Sequence, residues 1–171
     1  MFIQATNIIN MPIASIEERQ KIGFIKKILV NKNNAQIIGF LTTNKKLFDK
    51  DKFLSEVDIL DIDNQGVTTR TKSNLVDPQE IIRANNIIRK KFDLIGLKAI
   101  TKTKKPLGRV SDYLVESNSL QVVKFYIDSI FKNKIIDYHM VWKITNQEII
   151  FKDDCIKSLA TAKIESQLAT N

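Results

Sequence analysis

Apolar and polar residues alternate along this chain in short runs, and the runs come round twice. Ile22, Phe24, Ile28 and Val30 alternate with Ile25 and Leu29, the period-two pattern of a strand with apolar residues on both faces. Asn31, Lys32, Asn33 and Asn34 then predict a turn, because Asn tolerates positive φ and bonds its own backbone, and Gln36–Leu41 predicts the next strand. Met11–Ser15, Asp58–Ile62 and Val67–Arg70 read as further strands, separated by polar turns at Glu17–Lys21 and Asp63–Gly66 and by a charged stretch from Asn44 to Lys52. A shift of 85 residues carries Ile22–Val30 onto Leu107–Val115 and Gln36–Leu41 onto Gln121–Tyr126. A shift of 82 carries Leu60–Val67 onto Trp142–Ile149. Gly23/Gly108, Leu29/Leu114, Val30/Val115, Asn33/Asn118, Gln36/Gln121, Phe40/Phe125, Asn64/Asn146 and Gln65/Gln147 are identical between the copies. An internal repeat of this kind decides architecture before any other feature does.

Strands with two apolar faces predict a closed or doubly covered sheet, and short strands at this spacing without helices between them predict a small barrel or sandwich. Between the copies the pattern changes to a helical one. Asp77, Pro78 and Glu80 supply an N-cap, a proline at the first helical position and a carboxylate three residues past the cap. Ile81, Ala84, Ile88 and Phe92 then share one face, and Arg89, Lys90 and Lys91 close the last turn. A second helix is predicted after Asp153 and Asp154, with Ile156, Leu159, Ala160, Ile164 and Leu168 facing inward. The expected organisation is a mainly β chain: a barrel over residues 1–75, a linker helix over 76–94, a second barrel over 95–153, and a C-terminal helix and tail over 154–171. Domains of roughly 75 residues bury only about 60% of their chain surface, so each barrel is expected to lean on its twin or on a helix.

Charge changes this picture little. The net charge is +8, which invites a nucleic-acid reading. The excess is diffuse, however: +3 over residues 1–75, +1 over 76–95 and +4 over 96–171. Lys outnumbers Arg 22 to 5, and Ile, Lys and Asn make up 63 of 171 residues, a skew that raises Lys everywhere rather than in one patch. The start of the chain has no basic, apolar and small-residue succession of a signal peptide. No apolar run approaches the roughly 18 residues of a membrane span, so a soluble, cytoplasmic protein is expected. Cys155 is the single cysteine, which fits a reducing compartment.

The ordered motifs resemble a known family. Pro12–Ile16, Lys21–Val30, Ile37–Phe40 and Val57–Ile62, repeated as Leu97–Ile100 and Pro106–Val115, together with the joining segment Leu75–Ile82, resemble the PRC-barrel domain. That is the small β-barrel of the photosynthetic reaction-centre H subunit and of a ribosome-maturation factor. The resemblance covers roughly 150 residues and implies two small antiparallel PRC-like barrels joined by a helix. It also implies a scaffold that acts by binding proteins, with no catalytic residues to transfer. Two positions depart from the pattern between copies: Lys27 stands opposite Asp112 in the alignment, and Lys124 opposite Gly39.

Catalytic and metal chemistry find little to work with. His139 is the only histidine and has no nucleophile signature to serve. One Cys and one His do not make a zinc site. Asp58, Asp61 and Asp63 lack the spacing and closing Glu of a calcium loop. The five glycines are dispersed rather than gathered in a phosphate loop. No enzyme, cofactor or metal is therefore expected. Lys102, Lys104 and Lys105 with Arg109 form the one local basic cluster, suited to weak, unspecific nucleic-acid contact. Among the aromatic residues crowding the second copy, Tyr126, Phe131, Tyr138 and Trp142 are candidates for a partner surface. The expected function is a non-enzymatic adaptor that binds a protein partner. The alternative is an RNA-processing or ribosome-assembly factor contacting RNA or a ribosomal protein.

Overall fold

The computed structural model describes residues 1–44, 50–130 and 132–155. The protein is mainly β with a curled sheet. It divides into two compact units, Met1–Asp93 with Leu114–Val122, and Leu94–Tyr113 with the chain from Val123 on. The C-terminal helix expected over Ile156–Leu168 lies outside the described residues.

In the first unit β1 (Phe2–Gln4) pairs antiparallel with Leu114–Glu116 and is followed by a single helical turn, α1 (Ala5–Ile8). Strands β2 (Pro12–Ser15), β3 (Gln20–Asn31) and β4 (Gln36–Thr43) form an antiparallel meander, and β5 (Lys52–Ser55) lies on the far side of β4. The hairpin of β6 (Ile59–Ile62) and β7 (Val67–Thr69) returns to the start. There β7 runs parallel to β2, with Ile13 opposite Val67 and Ser15 opposite Thr69. Strand β8 (Leu75–Val76) covers the edge of β5. Strand β5 was not legible in the sequence, because four residues beside a charged stretch carry too little periodicity.

The long strand β3 buries Ile22, Ile25, Ile28, Leu29 and Val30, which strict alternation could not do. Its register against β4 shifts between Ile25 and Lys27 and again between Leu29 and Val30. The first bulge inserts Lys26 in β3 and the second inserts Ile38 in β4, each reversing the alternation of its own strand. Lys26, the residue left over at the first bulge, points outward to Asp51, 2.6 Å away. Gly39 is required by close approach: at φ +141° a Cβ there would lie 2.2 Å from the Leu54 carbonyl oxygen.

The second unit has β9 (Lys98–Thr101), β12 (Lys134–Asp137), β13 (Val141–Ile144), β14 (Glu148–Phe151) and the greater part of β10 (Pro106–Glu116) and β11 (Gln121–Asp128), whose shared hairpin end, Leu114–Val122, belongs to the first unit. Its strand order, β13-β14-β9-β10-β11-β12, reproduces β6-β7-β2-β3-β4-β5 of the first unit. The ladder between β9 and β14 is again parallel, with Ala99 opposite Ile149 and Thr101 opposite Phe151. The irregularities match as well. Ile22 and Leu107 are the extra residues where the first hairpin of each unit shifts register, and Leu60 and Trp142 are the extra residues in the last hairpins. Its core includes Phe125 and Phe151, which meet edge to face with centroids 5.9 Å apart.

Two hairpin tips meet inside the first unit with twofold-related hydrogen bonds. Gln36 lies opposite Gln121. The Ile37 amide donates to the Leu120 carbonyl (3.0 Å), and the Val122 amide donates to the Ala35 carbonyl (3.2 Å). Each glutamine side chain donates into the other turn, Gln121 to the Asn34 carbonyl at 2.9 Å and Gln36 to the Ser119 carbonyl. Ala35 and Leu120 both adopt left-handed backbone, at φ +53° and +54°. All of these pairs are related by the 85-residue shift.

The joining segment is not one helix from Asp77 to Phe92. Pro78–Glu80 forms a single 3-10 turn capped by Asp77, whose carboxylate accepts from the Gln79 amide at 2.9 Å. Ile81 then adopts extended backbone, φ −106° and ψ 100°, before α2 (Ile82–Arg89) begins. Ile81 packs, half-buried, on the cluster of Leu29, Ile38, Phe53 and Ala84, as do Val76, Ile87 and Ile88. Ala84 and Phe92 are buried, whereas Ile82 is 80% exposed. Phe92→Ala should therefore lower unfolding free energy by about 3–5 kcal/mol in chemical denaturation. Ile82→Ala should change it by no more than about 0.5 kcal/mol.

Candidate interaction surface

Two of the sequence candidates from different classes come together in the second unit. The turn between β9 and β10 is closed by the Thr101 amide on the Lys105 carbonyl (3.0 Å) and the Lys104 amide on the Thr101 carbonyl (2.9 Å), with Lys104 at φ +63°. This leaves Lys102, Lys104 and Lys105 exposed. The parallel ladder of β9 and β14 brings the end of β14 beside the turn, where the Phe151 carbonyl accepts from the Lys102 amide at 2.9 Å. Trp142 projects from the neighbouring strand β13. As the extra residue of a bulge it has no cross-strand partner, and it remains 54% exposed. The Lys102 ammonium lies 5.2 Å from the centre of its ring, within the range of a cation–π contact.

A carboxylate holds the basic turn in place. Asp153 accepts from the Thr103 amide (3.0 Å) and the Thr103 hydroxyl (2.8 Å). These bonds, the amide first, hold its carboxyl below the usual range, with Lys102 adding to the effect. The first unit ties its corresponding turns with the chemistry reversed. There Glu18 sits on the hairpin, accepts from the Ser15 hydroxyl, the Lys72 amide (3.0 Å) and the Thr71 hydroxyl (3.2 Å), and is likewise lowered, chiefly by Ser15. Asp153 thus partly offsets the charge of the lysines beside Thr103.

Arg109 does not join the turn. Its guanidinium donates to the Gly96 carbonyl at 2.9 Å, and it lines a hollow beside Gly108. Tyr126 and Tyr138 are half-buried. Tyr126 lies opposite Ile135, and its carbonyl accepts from the Ser111 hydroxyl at 3.3 Å. Phe131 lies outside the described residues. Lys124, which replaces Gly39, stands opposite Asp137 at 3.8 Å, and Lys27 pairs with Asp93 at 3.3 Å. Asp61 bonds the next amide and Asp63 the amides of Gln65 and Gly66, as turn residues do. Burial pushes the Cys155 thiol up, with Asp154 and Asp153 adding to it. Among the described residues no group of three His, Cys, Asp or Glu converges as a metal site would need, and no helix is long and apolar enough to cross a membrane.

The exposed Trp142 was legible as an aromatic but not as a bulge residue. The signal was there in the 82-residue alignment, which sets Trp142 on Leu60, itself 50% exposed. Asp153 was read only as part of a helix start, because a turn-stapling carboxylate has no motif of its own. No protein-family model matches the chain, and no curated protein matches it.

Glu116, at the tip of the β10–β11 hairpin, gives a pH test of such carboxylate turns. The Ser119 hydroxyl first, and then the amides of Ser119 (2.6 Å) and Asn118 (3.1 Å), hold its pKa down to about 2. A pKa lower in the folded than in the unfolded state adds stability that is complete above the unfolded value, about 4.3 for Glu, and is lost as pH falls through the folded one. The melting temperature of Glu116→Gln should lie below wild type at neutral pH. The gap should narrow steadily from about pH 4.5 down to about pH 2. A gap independent of pH would contradict this assignment.

Proposed function

We propose that the chain is a non-enzymatic tandem PRC-barrel adaptor that binds a protein partner in the cytoplasm. The observation that carries the reading is the exposed Trp142 beside Lys102, 5.2 Å from its ring centre, on strand β13. A half-exposed Trp with a cation beside it is the type of group that anchors protein interfaces, where Trp, Tyr and Arg dominate the binding energy. The shared strand order, parallel closure and matched bulges of the two units support the tandem-barrel part of the reading.

Contact with RNA is the competing reading, favoured by the exposed Lys102, Lys104 and Lys105. Magnitudes count against it. Three phosphate contacts give a log–log salt slope of about 2.7, so a fourfold rise in salt removes roughly fortyfold in affinity. Asp153 lowers the local positive potential further, and Lys102 lies near the ring a base would need for stacking. Titration of a structured RNA at about 50 and 200 mM salt, with wild type and a Lys102→Glu, Lys104→Glu, Lys105→Glu variant, separates the readings. Weak binding that disappears at the higher salt is expected. Sub-micromolar, sequence-selective binding at about 200 mM salt that the triple variant abolishes would replace the adaptor reading with the RNA one.

A further inference from the structure

We propose that the β6 edge of the first unit docks onto the Trp142 edge of a second copy of this chain, joining copies head to tail. This rests on the reading of Trp142 as an interface anchor and gives that anchor its partner.

Among the described residues β6 pairs only with β7 and β13 only with β14, so each is the outermost strand at one side of its unit. An open sheet edge is a place where another chain can dock. Both strands carry a one-residue bulge, at Leu60 and at Trp142. Their burial runs in the same order: a half-buried residue, two exposed ones, then a buried one. A bulge sets two residues against one on the neighbouring strand and breaks the alternation. Two successive side chains therefore stay exposed, Leu60 with Asp61 and Trp142 with Lys143.

These two edges are alike in backbone and opposite in charge. The 82-residue shift sets Asp61 on Lys143. Residues 53–69 hold Glu56, Asp58, Asp61 and Asp63 and no lysine or arginine. Glu56 is paired with Arg83 at 2.7 Å, whereas the ion pairs among the described residues leave Asp58, Asp61 and Asp63 without a cation. Residues 138–147 hold Lys143 and no Asp or Glu. Lys102 lies over the Trp142 ring, and the Lys152 ammonium donates to the His139 carbonyl at 2.8 Å, just before β13. Asp153 offsets part of this charge and leaves the edge positive.

The apolar parts of the two edges match as well. The Ile16 amide donates to the Thr69 carbonyl at 3.1 Å, as the Lys102 amide does to the Phe151 carbonyl, so Ile16 takes the place of Lys102 in the first unit. Ile16 and Leu60 are 56% and 50% exposed, and Val57, just before β6, is 77% exposed. One edge thus presents a Trp among lysines and the other presents aliphatic side chains among aspartates. Complementary charge selects partner and register, and like charges exclude pairing of either edge with itself. Contact between two different patches of one chain is heterologous, so it propagates unless the rotation closes a ring.

The test is sedimentation velocity of the purified full chain over a wide range of protein concentration. Wild type should form dimers and longer assemblies as concentration rises, and fewer of them when added salt screens the charges. Asp61→Lys and Lys143→Asp should each weaken self-association by about tenfold or more, because each sets like charges together. A chain carrying both substitutions should associate again. Trp142→Ala keeps an intact β6 edge and Asp61→Lys keeps an intact β13 edge, so a mixture of the two should give a one-to-one complex that grows no further. Failure of the double substitution to restore assembly, or a mixture that stays monomeric, would overturn the proposal. A wild type that is monomeric throughout would also overturn it, and the anchor reading would then stand only on a different protein retained by wild type and lost with Trp142→Ala.

Discussion

Each unit depends on one ladder, the parallel pairing of β2 with β7 in the first and of β9 with β14 in the second. Parallel neighbours cannot be joined by a tight turn, so the whole intervening chain must be wound between Ile13 and Val67, or between Ala99 and Ile149, before that ladder can form. The ladder places the first hairpin turn beside the residues that follow the closing strand. From this adjacency come the Glu18 tie to Lys72 and the Asp153 tie to Thr103. The position of the Lys102 turn beside Trp142 has the same origin, since β13 is reached only through β14.

The bulges convert that frame into surface features. An ideal strand would alternate inward and outward residues without exception, and both copies break this at equivalent places. One bulge lets Ile22 and Leu107 turn inward beside a glycine and opens a recess at the foot of the hairpin. The other leaves Leu60 and Trp142 without cross-strand partners and exposed. Divergence between the copies is then a matter of side chains on a shared backbone. Leu becomes Trp at one bulge, Phe24 becomes Arg109 near the other, and the carboxylate of the turn staple moves from the hairpin to the crossing turn.

Much of this frame was legible in the sequence. The shifts of 85 and 82 residues gave the correspondences that the strand orders follow, because apolar spacing and turn residues are local signals. What escaped were features that arise only from pairing. Strand β5 has four residues and earns its place by lying between β4 and β8. The break at Ile81 goes with packing on Leu29 and Phe53, a contact that local helix propensity does not register. The basic cluster looked like four residues in sequence, yet Arg109 turns to Gly96 and leaves three lysines. Lys102 and Trp142, read separately as nucleic-acid and protein candidates, meet because β14 pairs with both β9 and β13.

The role proposed for Trp142 is to anchor a protein partner. The most direct measurement is affinity purification of the full chain from its native cell, comparing wild type with Trp142→Ala, each with and without nuclease. The account predicts a protein retained by wild type, unaffected by nuclease and lost with Trp142→Ala. Retention that nuclease abolishes, or that is equal for both chains, would contradict it.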